Sequence, residues 1–247
     1  MIWSALSECI RVLFEETETL HTLFLDACEN NNCELVDVCL LMKFVDPTTQ
    51  NNFAIRHACE KGYLSVVERL LQEKEVDPTT DKNHALQYAS YNGFTEIVDR
   101  LVQDPRIDPT VNDNFALCTA CQHGKIELVD RLLQDNRIDL SSNNAFVISC
   151  LRGHIHVVNR LLHDSRRDNI NKETAIVYAS KYGYIDIVDI LLHNSCYNNE
   201  TITDSIKFAH LHGRTTVVAR LLQYSKSDSI SKKISRQIYN WFKNLTR

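Results

Sequence analysis

Glycine and proline are scarce in this chain of 247 residues, which contains six glycines and four prolines. No run of apolar residues approaches the roughly 18 that a membrane-spanning helix needs. The first residues, Met1 to Glu8, lack the basic and long apolar segments of a secretory signal peptide. A net charge of -5 disfavours a general nucleic-acid-binding protein, which would carry a basic surface. These absences predict a soluble, cytoplasmic protein.

Sequence motifs of catalysis are missing as well. There is no Gly-x-Ser-x-Gly, no His-Glu-x-x-His and no glycine-rich phosphate loop. The nine cysteines do not suit a disulfide framework, because an odd number leaves one thiol unpaired. We therefore predict a protein that is not an enzyme and has no small-molecule substrate, cofactor or metal.

The glycines that are present share one period. Successive glycines are separated by 31, 31, 29, 30 and 30 residues, at Gly62, Gly93, Gly124, Gly153, Gly183 and Gly213. Three of the four prolines keep the same spacing, since Pro47, Pro78 and Pro109 are each 31 residues apart. The chain is therefore built from a repeat of about 30 residues.

The residues around each glycine also recur. Alanine or serine stands four and eight residues before it, valine stands five residues after it, and Leu-Leu or Leu-Val stands eight and nine residues after it. Stepping back 31 residues from Gly62 reaches Asn31. Asparagine is the best substitute for glycine where φ is positive, so Asn31 marks a seventh, degenerate copy.

Each copy predicts two short helices. In the second copy, residues 52–61 and 64–72 both carry apolar residues at helical spacing, and Gly62 between them suits the left-handed turn that ends a helix. The segment from Val76 to Thr80 contains Pro78, which cannot continue a helix and favours a return loop.

This helix, glycine turn, helix and return loop resemble the ankyrin repeat, as residues 58–71 and 120–133 illustrate. The resemblance covers residues 20–225 and implies an all-α helical solenoid of about seven repeats. The short, asparagine-rich form resembles repeats of amoebae and large DNA viruses. The family's Thr-Pro-Leu-His tetrad is replaced, and its hairpin glycine becomes Asn51, Lys82 or Asp113, which leaves open whether regular β-hairpins form. A tetratricopeptide repeat fits less well, because its longer helices leave no room for the loop.

The two ends of the chain predict capping helices, at residues 1–19 and 226–247. Apolar residues at helical spacing are Ile2, Trp3, Leu6, Ile10, Leu13 and Phe14 at one end, and Ile230, Ile234, Ile238, Trp241, Phe242 and Leu245 at the other. The C-terminal segment also carries Lys232, Lys233, Arg236, Lys243 and Arg247. A cap with a solvated basic face is the favoured interpretation, and contact with a membrane surface or an acidic partner is the alternative.

Cys118 and Cys121, with His123 nearby, are the only arrangement that suggests a metal or redox site, and no second ligand pair follows them. Cysteine also recurs three residues before the glycine or its Asn31 substitute, at Cys28, Cys59, Cys121 and Cys150. This register predicts small buried core residues rather than ligands.

The resemblance implies that a concave face presents the two residues before each glycine, together with the tips of the return loops. We name these two-residue positions the binding strip: Glu60, Lys61, Tyr91, Asn92, Gln122, His123, Leu151, Arg152, Lys181, Tyr182, Leu211 and His212. They differ between copies while the core positions hold, and several are of the types that anchor interfaces. Ordinary solvated surface is the alternative.

An arginine recurs seven residues after the glycine, at Arg69, Arg100, Arg131, Arg160 and Arg220. We expect these arginines to pair with acids of neighbouring repeats or to remain in water, rather than to bind phosphates.

The sequence thus predicts a non-catalytic adaptor or scaffold, monomeric alone, that binds a protein partner on its concave face. The alternatives are a stoichiometric inhibitor or regulator of an enzyme, and a membrane or nucleic-acid tether that acts through the basic C-terminal helix.

Overall fold

The computed structural model describes residues 19–41, 43, 45–140, 144–166 and 170–227, with the side chains of 226 and 227 left aside. The predicted capping helices, 1–19 and 226–247, lie outside the described residues apart from positions 19, 226 and 227. Contacts divide the chain into two compact units, Met1–Ala116 and Leu117–Arg247, which we call the N-terminal and C-terminal units.

The described residues form seven pairs of helices and no strand, which confirms the all-α prediction. The helices are α1 (residues 19–29), α2 (Cys33–Leu41), α3 (Thr49–Lys61), α4 (Leu64–Leu70), α5 (Thr80–Asn92), α6 (Thr95–Val102), α7 (Val111–Gln122), α8 (Ile126–Leu133), α9 (Ala145–Arg152), α10 (Ile155–Leu162), α11 (Lys172–Tyr182), α12 (Ile185–Asn194), α13 (Asn199–Leu211) and α14 (Thr215–Ser227). Odd-numbered helices are the first helix of a copy and even-numbered helices are the second.

The glycine turns have the predicted conformation. Gly62 has φ of 85°, and its N–H and that of Tyr63 both donate to the carbonyl of Ala58, at 3.0 and 2.9 Å. The six glycines have φ between 66° and 89°, and Asn31 has φ of 56°. The degenerate first copy therefore keeps the same turn without glycine.

Close packing between copies is a second reason for these glycines. A Cβ placed on Gly153 would lie 2.6 Å from the ring of Tyr184, the residue that follows the next glycine. Phe94 covers Gly62 and His154 covers Gly124 in the same way. Such a separation is shorter than any van der Waals contact, so only a glycine, with a hydrogen atom in place of Cβ, leaves room for each ring.

Gly153→Ala and Gly213→Ala separate backbone strain from packing. Both glycines have positive φ, but no described atom lies within 4 Å of a Cβ on Gly213. We expect Gly213→Ala to lower the free energy of unfolding by about 1 kcal/mol from strain alone. Gly153→Ala should cost roughly 2–4 kcal/mol, because the Tyr184 ring must also move. Urea unfolding followed by circular dichroism measures both, and equal losses would contradict the packing role.

The core contains the recurring small and branched residues. Alanine or serine four residues before each glycine is fully buried, as are the repeated valines Val67, Val98, Val129, Val158 and Val188. Cys28, Cys59, Cys121 and Cys150 have no exposed surface, which confirms that they are core residues. Burial raises the pKa of the Cys28 thiol to about 12, so this thiol is neutral and unreactive at pH 7.

A left-handed turn opens α3, α5 and α7. Each helix begins with three residues at φ between 54° and 62°, in the segments 50–52, 81–83 and 112–114. Asn51, Lys82 and Asp113 are the central residues, so the positions that lack the family's glycine keep its positive φ. The regular right-handed helix α3 therefore starts at about Phe53, one residue later than predicted.

The third residue of this turn connects consecutive copies. Asn52 is buried, its Oδ1 accepts from the N–H of Asp77 at 2.9 Å, and its Nδ2 donates to Thr80 Oγ1 at 3.0 Å. Asn83 likewise donates to the carbonyl of Asp108 at 2.9 Å. These amides tie each first helix to the next return loop, where the family's tetrad is replaced.

The arginines seven residues after the glycine connect second helices. Arg69 pairs with Asp37, Arg160 with Asp130 and Arg220 with Asp189, in each case with the preceding copy. The predicted pairing between copies is confirmed for these three arginines. Because both partners are partly exposed, each pair contributes only about 0–1 kcal/mol.

A more buried pair closes the loop after α10. Asp164 binds Arg166, which also donates to the carbonyls of Leu133 and Ile138 in the preceding copy, at 2.9 and 2.8 Å. Asp104 and Arg106 form the same arrangement in the N-terminal unit. The hydrogen bond from Arg166 lowers the pKa of the buried Asp164 carboxyl to about 2.

This pair makes stability depend on pH in a defined window. The Asp164 pKa is lower in the folded than in the unfolded chain, so its contribution is complete above about pH 4 and is lost as pH falls towards 2. We expect Asp164→Asn to lower the free energy of unfolding by at least about 2 kcal/mol at pH 7, and by much less at pH 2. Urea titrations at both pH values measure the gap. The exposed control Glu68→Gln should show no such gap, and a pH-independent loss in Asp164→Asn would contradict the assignment.

Candidate partner-binding surface

The binding strip lies at the C-terminal end of each first helix. In copies two to six the residues four and three before the glycine are buried, so the next two residues turn away from the core. All twelve strip residues are exposed or half-buried. The most exposed apolar ones are Leu211 at 59%, Tyr91 at 55% and Tyr182 at 40%.

In the N-terminal unit the strip residues of adjacent copies are connected. Asn92 Nδ2 donates to the carbonyl of Glu60 at 2.9 Å, and Lys61 Nζ lies 3.0 Å from the carboxylate of Glu60. Tyr91 lies beside this link. The structure therefore brings Glu60, Lys61, Tyr91 and Asn92 together on one surface.

In the C-terminal unit the strip residues also contact their neighbours. His154 Nε2 donates to the carbonyl of Gln122 at 2.9 Å. Lys181 Nζ lies 5.5 Å from the centre of the Tyr182 ring, which lies 6.4 Å from the Tyr184 ring. The remaining strip residues of this unit are His123, Leu151, Arg152, Leu211 and His212, all exposed or half-buried.

Sequence analysis missed a group of rings beside the strip in the N-terminal unit. We call it the aromatic row: Phe53, His57, His84, Tyr88, Tyr91 and Phe115. Its members belong to the first helices of three consecutive copies, α3, α5 and α7. The rings of Phe53 and His57 stack at 5.2 Å, and those of His84 and Tyr88 at 4.0 Å. The sequence could have predicted these stacked pairs, because residues four apart lie on the same face of a helix.

The rings of α5 and α7 enclose an open cleft. Gln87, Tyr88, Tyr91 and Phe115 line it, and its volume is about 390 Å³. Tyr88 and Phe115 are 40% and 38% exposed. Contiguous exposed aromatic surface of this kind is typical of interaction sites.

Burial and the neighbouring Arg56 guanidinium lower the pKa of His84 below its usual value. The imidazole is therefore neutral at pH 7, and it stacks on Tyr88 as an uncharged ring.

The return loops that hydrogen-bond to the starts of α3 and α5 carry carboxylates. The Oδ1 atoms of Asp77 and Asp108 accept from the N–H groups of Thr79 and Thr110 at 2.9 Å, so these carboxylates cap backbone N–H groups of their own loops. Asp46 accepts from Thr48 in the same way, and these hydrogen bonds lower the pKa of Asp46. The carboxylates of Asp46, Asp77 and Asp108 are exposed.

Among the described residues, neither a metal-holding group nor a ligand pair at Cys118 and Cys121 is assembled. No group of three or more His, Cys, Asp or Glu side chains there is placed to hold a metal ion. Cys121 is fully buried, and burial raises its pKa well above the usual value, so Cys118 and Cys121 do not present a pair of ligands. Within the same residues, no helix has the length and apolar character needed to cross a membrane.

The chain resembles a known protein family over most of its length. A family model described as ankyrin repeats (3 copies) matches residues 23–113 and 116–203, which is more than half of the chain. The chain belongs to the ankyrin repeat family. Ankyrin repeats are generally protein–protein interaction modules, so this family membership supports a binding role without naming a partner.

Solved ankyrin repeat structures share the fold. The ankyrin repeat domain of human ASB11 is 15% identical with a TM-score of 0.63, over 81% of this chain and 96% of that one. An ankyrin repeat domain of Acinetobacter baumannii is 19% identical with a TM-score of 0.55, over 70% and 98%. The ankyrin repeat protein EF0377 is 23% identical with a TM-score of 0.56, over 69% and 96%. At these identities the likeness concerns the fold alone.

Among curated proteins, none matches the chain.

Proposed function

We propose that this ankyrin repeat protein is a non-catalytic adaptor or scaffold that holds a protein partner against the ends of its first helices. The contrast between buried and exposed positions of one helix end carries the proposal. Four residues before the glycine, Ala58, Ala89 and Ala179 are identical and fully buried. The two positions before the glycine, which are exposed or half-buried, carry a different pair of residues in each copy.

This contrast supports a binding surface. Stacking of copies constrains mainly the buried residues that contact the next copy, so it leaves the side chains of the strip free to vary. Large side chains nevertheless occupy several of these positions, among them Tyr91, Tyr182 and Arg152. Tyrosine and arginine are enriched at the energetic centres of protein interfaces.

The chemistry of the thiols supports a cytoplasmic location. The structure holds eight cysteines as free thiols among the residues it describes, and Cys196 is exposed. Free thiols persist in reducing compartments and are oxidised elsewhere.

The triple variant Tyr91→Ala, Arg152→Ala, Tyr182→Ala tests the proposal by affinity capture from cell lysate. We expect the variant to lose a partner that the wild type retains, because each truncation at an interface centre typically costs about 2 kcal/mol or more. The matched control Glu96→Ala, Glu127→Ala, His156→Ala changes three exposed positions of the second helices, each three residues after a glycine. This control should retain the partner.

Both variants must first show the thermal stability of the wild type. Equal capture by the wild type and the strip variant would reject the strip as the binding surface. If the captured partner is an enzyme, an assay of that enzyme with added protein separates an inhibitor from an adaptor.

A further inference from the structure

Charge is divided unequally between the two halves of the chain. Residues 1–116 contain 20 acidic and 9 basic residues, a net charge of -11, whereas residues 117–247 contain 12 acidic and 18 basic residues, a net charge of +6. The total of -5 therefore conceals a strongly acidic N-terminal unit. Such asymmetry between halves indicates a charged partner.

Part of this acidic charge lies beside the aromatic row. The buried Asn52 accepts a hydrogen bond from the backbone of Asp77, and Phe53 is the residue that follows it. Asn83 donates to the backbone of Asp108 in the next copy, and His84 is the residue that follows Asn83. The starts of α3 and α5 are thus next to return loops that carry the exposed carboxylates of Asp77 and Asp108.

The basic groups near the row are already engaged. Arg56 donates to the carbonyls of Asn51 and Gln50 at 2.9 and 3.1 Å, and Lys61 pairs with Glu60. The charges carried by α3, α5 and the start of α7 balance, with Glu60, Asp81 and Asp113 against Arg56, Lys61 and Lys82. The loop carboxylates Asp46, Asp77 and Asp108 make the surroundings of the row negative.

Exposed tyrosine rings in an acidic unit suit one kind of side chain. The face of an aromatic ring attracts a cation, and arginine also stacks its planar guanidinium on the ring. The cleft formed by Tyr88, Tyr91 and Phe115 has room for such a group. Its guanidinium would stack on the ring faces of the cleft, within the net negative charge of the N-terminal unit.

We propose that the aromatic row binds a basic segment of the protein partner, with an arginine side chain in the cleft of Tyr88, Tyr91 and Phe115. The proposal rests on the proposed function and specifies the chemistry of the partner. The acidic field of the N-terminal unit disfavours acidic segments and nucleic acids. A neutral apolar segment would leave the row of loop carboxylates without a counter-charge.

The test uses the full chain and a fluorescein-labelled dodecapeptide made of four Gly-Arg-Ser units, with four Gly-Gln-Ser units as the uncharged probe. Fluorescence anisotropy measures Kd at low and physiological salt. We expect the arginine peptide to bind, the glutamine peptide to bind at least tenfold more weakly, and salt to weaken the arginine peptide.

Two variants test the location. Tyr88→Leu with Tyr91→Leu keeps apolar bulk but removes the ring faces, and should weaken the arginine peptide about tenfold. Asp77→Asn with Asp108→Asn should weaken it several-fold and reduce its salt dependence. The matched control is Phe208→Leu, which occupies the position of Tyr88 in the last copy and is 39% exposed. This control should bind like the wild type.

Three results would overturn the proposal. The first is that the glutamine peptide binds as tightly as the arginine peptide. The second is that both variants, with unchanged thermal stability, bind the arginine peptide as tightly as the wild type does. The third is that a synthetic peptide of residues 228–247 displaces the labelled arginine peptide at a lower concentration than the unlabelled arginine peptide does. The last result would make the chain's own basic segment the occupant. The capture experiment tests the binding strip separately. If the arginine peptide does not bind but the strip variant still loses its captured partner, only the proposed binding of an arginine side chain is rejected, and the proposed function stands.

Discussion

The fold depends on the close approach of each copy to the glycine turn of the copy before it. The turn requires positive φ, and the ring or long side chain that follows the next glycine requires the space where a Cβ would be. Both requirements fall on the same residue, which explains why glycine recurs at this position, although only the first applies at Gly213. Asn31 satisfies the first requirement alone, as the first copy shows.

Features that each copy specifies for itself could be predicted from the sequence. The period, the helix pairs, the buried alanines and cysteines, and the turns at Gly62 and its equivalents depend on residues within one copy. A residue type that recurs at one position of several copies indicates that this position has the same environment in each copy. The copies within one chain can therefore be compared with one another, as the sequences of related chains would be. Helix α4 is shorter than predicted, since it ends at Leu70 and not at Gln72.

Features that depend on two copies were harder to predict. Nothing in the segment from Thr48 to Asn52 shows that three residues turn left-handed, or that Asn52 reaches the next loop, because the partner lies 25 residues away. Asp104 with Arg106 and Asp164 with Arg166 recur at the repeat period, so their pairing was visible, but their bonds to the preceding copy were not. The aromatic row was overlooked because only the two residues before each glycine were considered as surface.

The two units show how a repeat permits surface divergence over a constant core. Nine residues before the glycine, the N-terminal unit has the rings of Phe53, His84 and Phe115, whereas the C-terminal unit has Asn144, Thr174 and Asp204. The alanine that follows each of the first two rings is buried, as is its equivalent Ala145. The core packing at this position is therefore the same in both units. It does not explain why the N-terminal unit carries these rings and the acidic charge. The proposed partner that contacts the N-terminal unit would account for both.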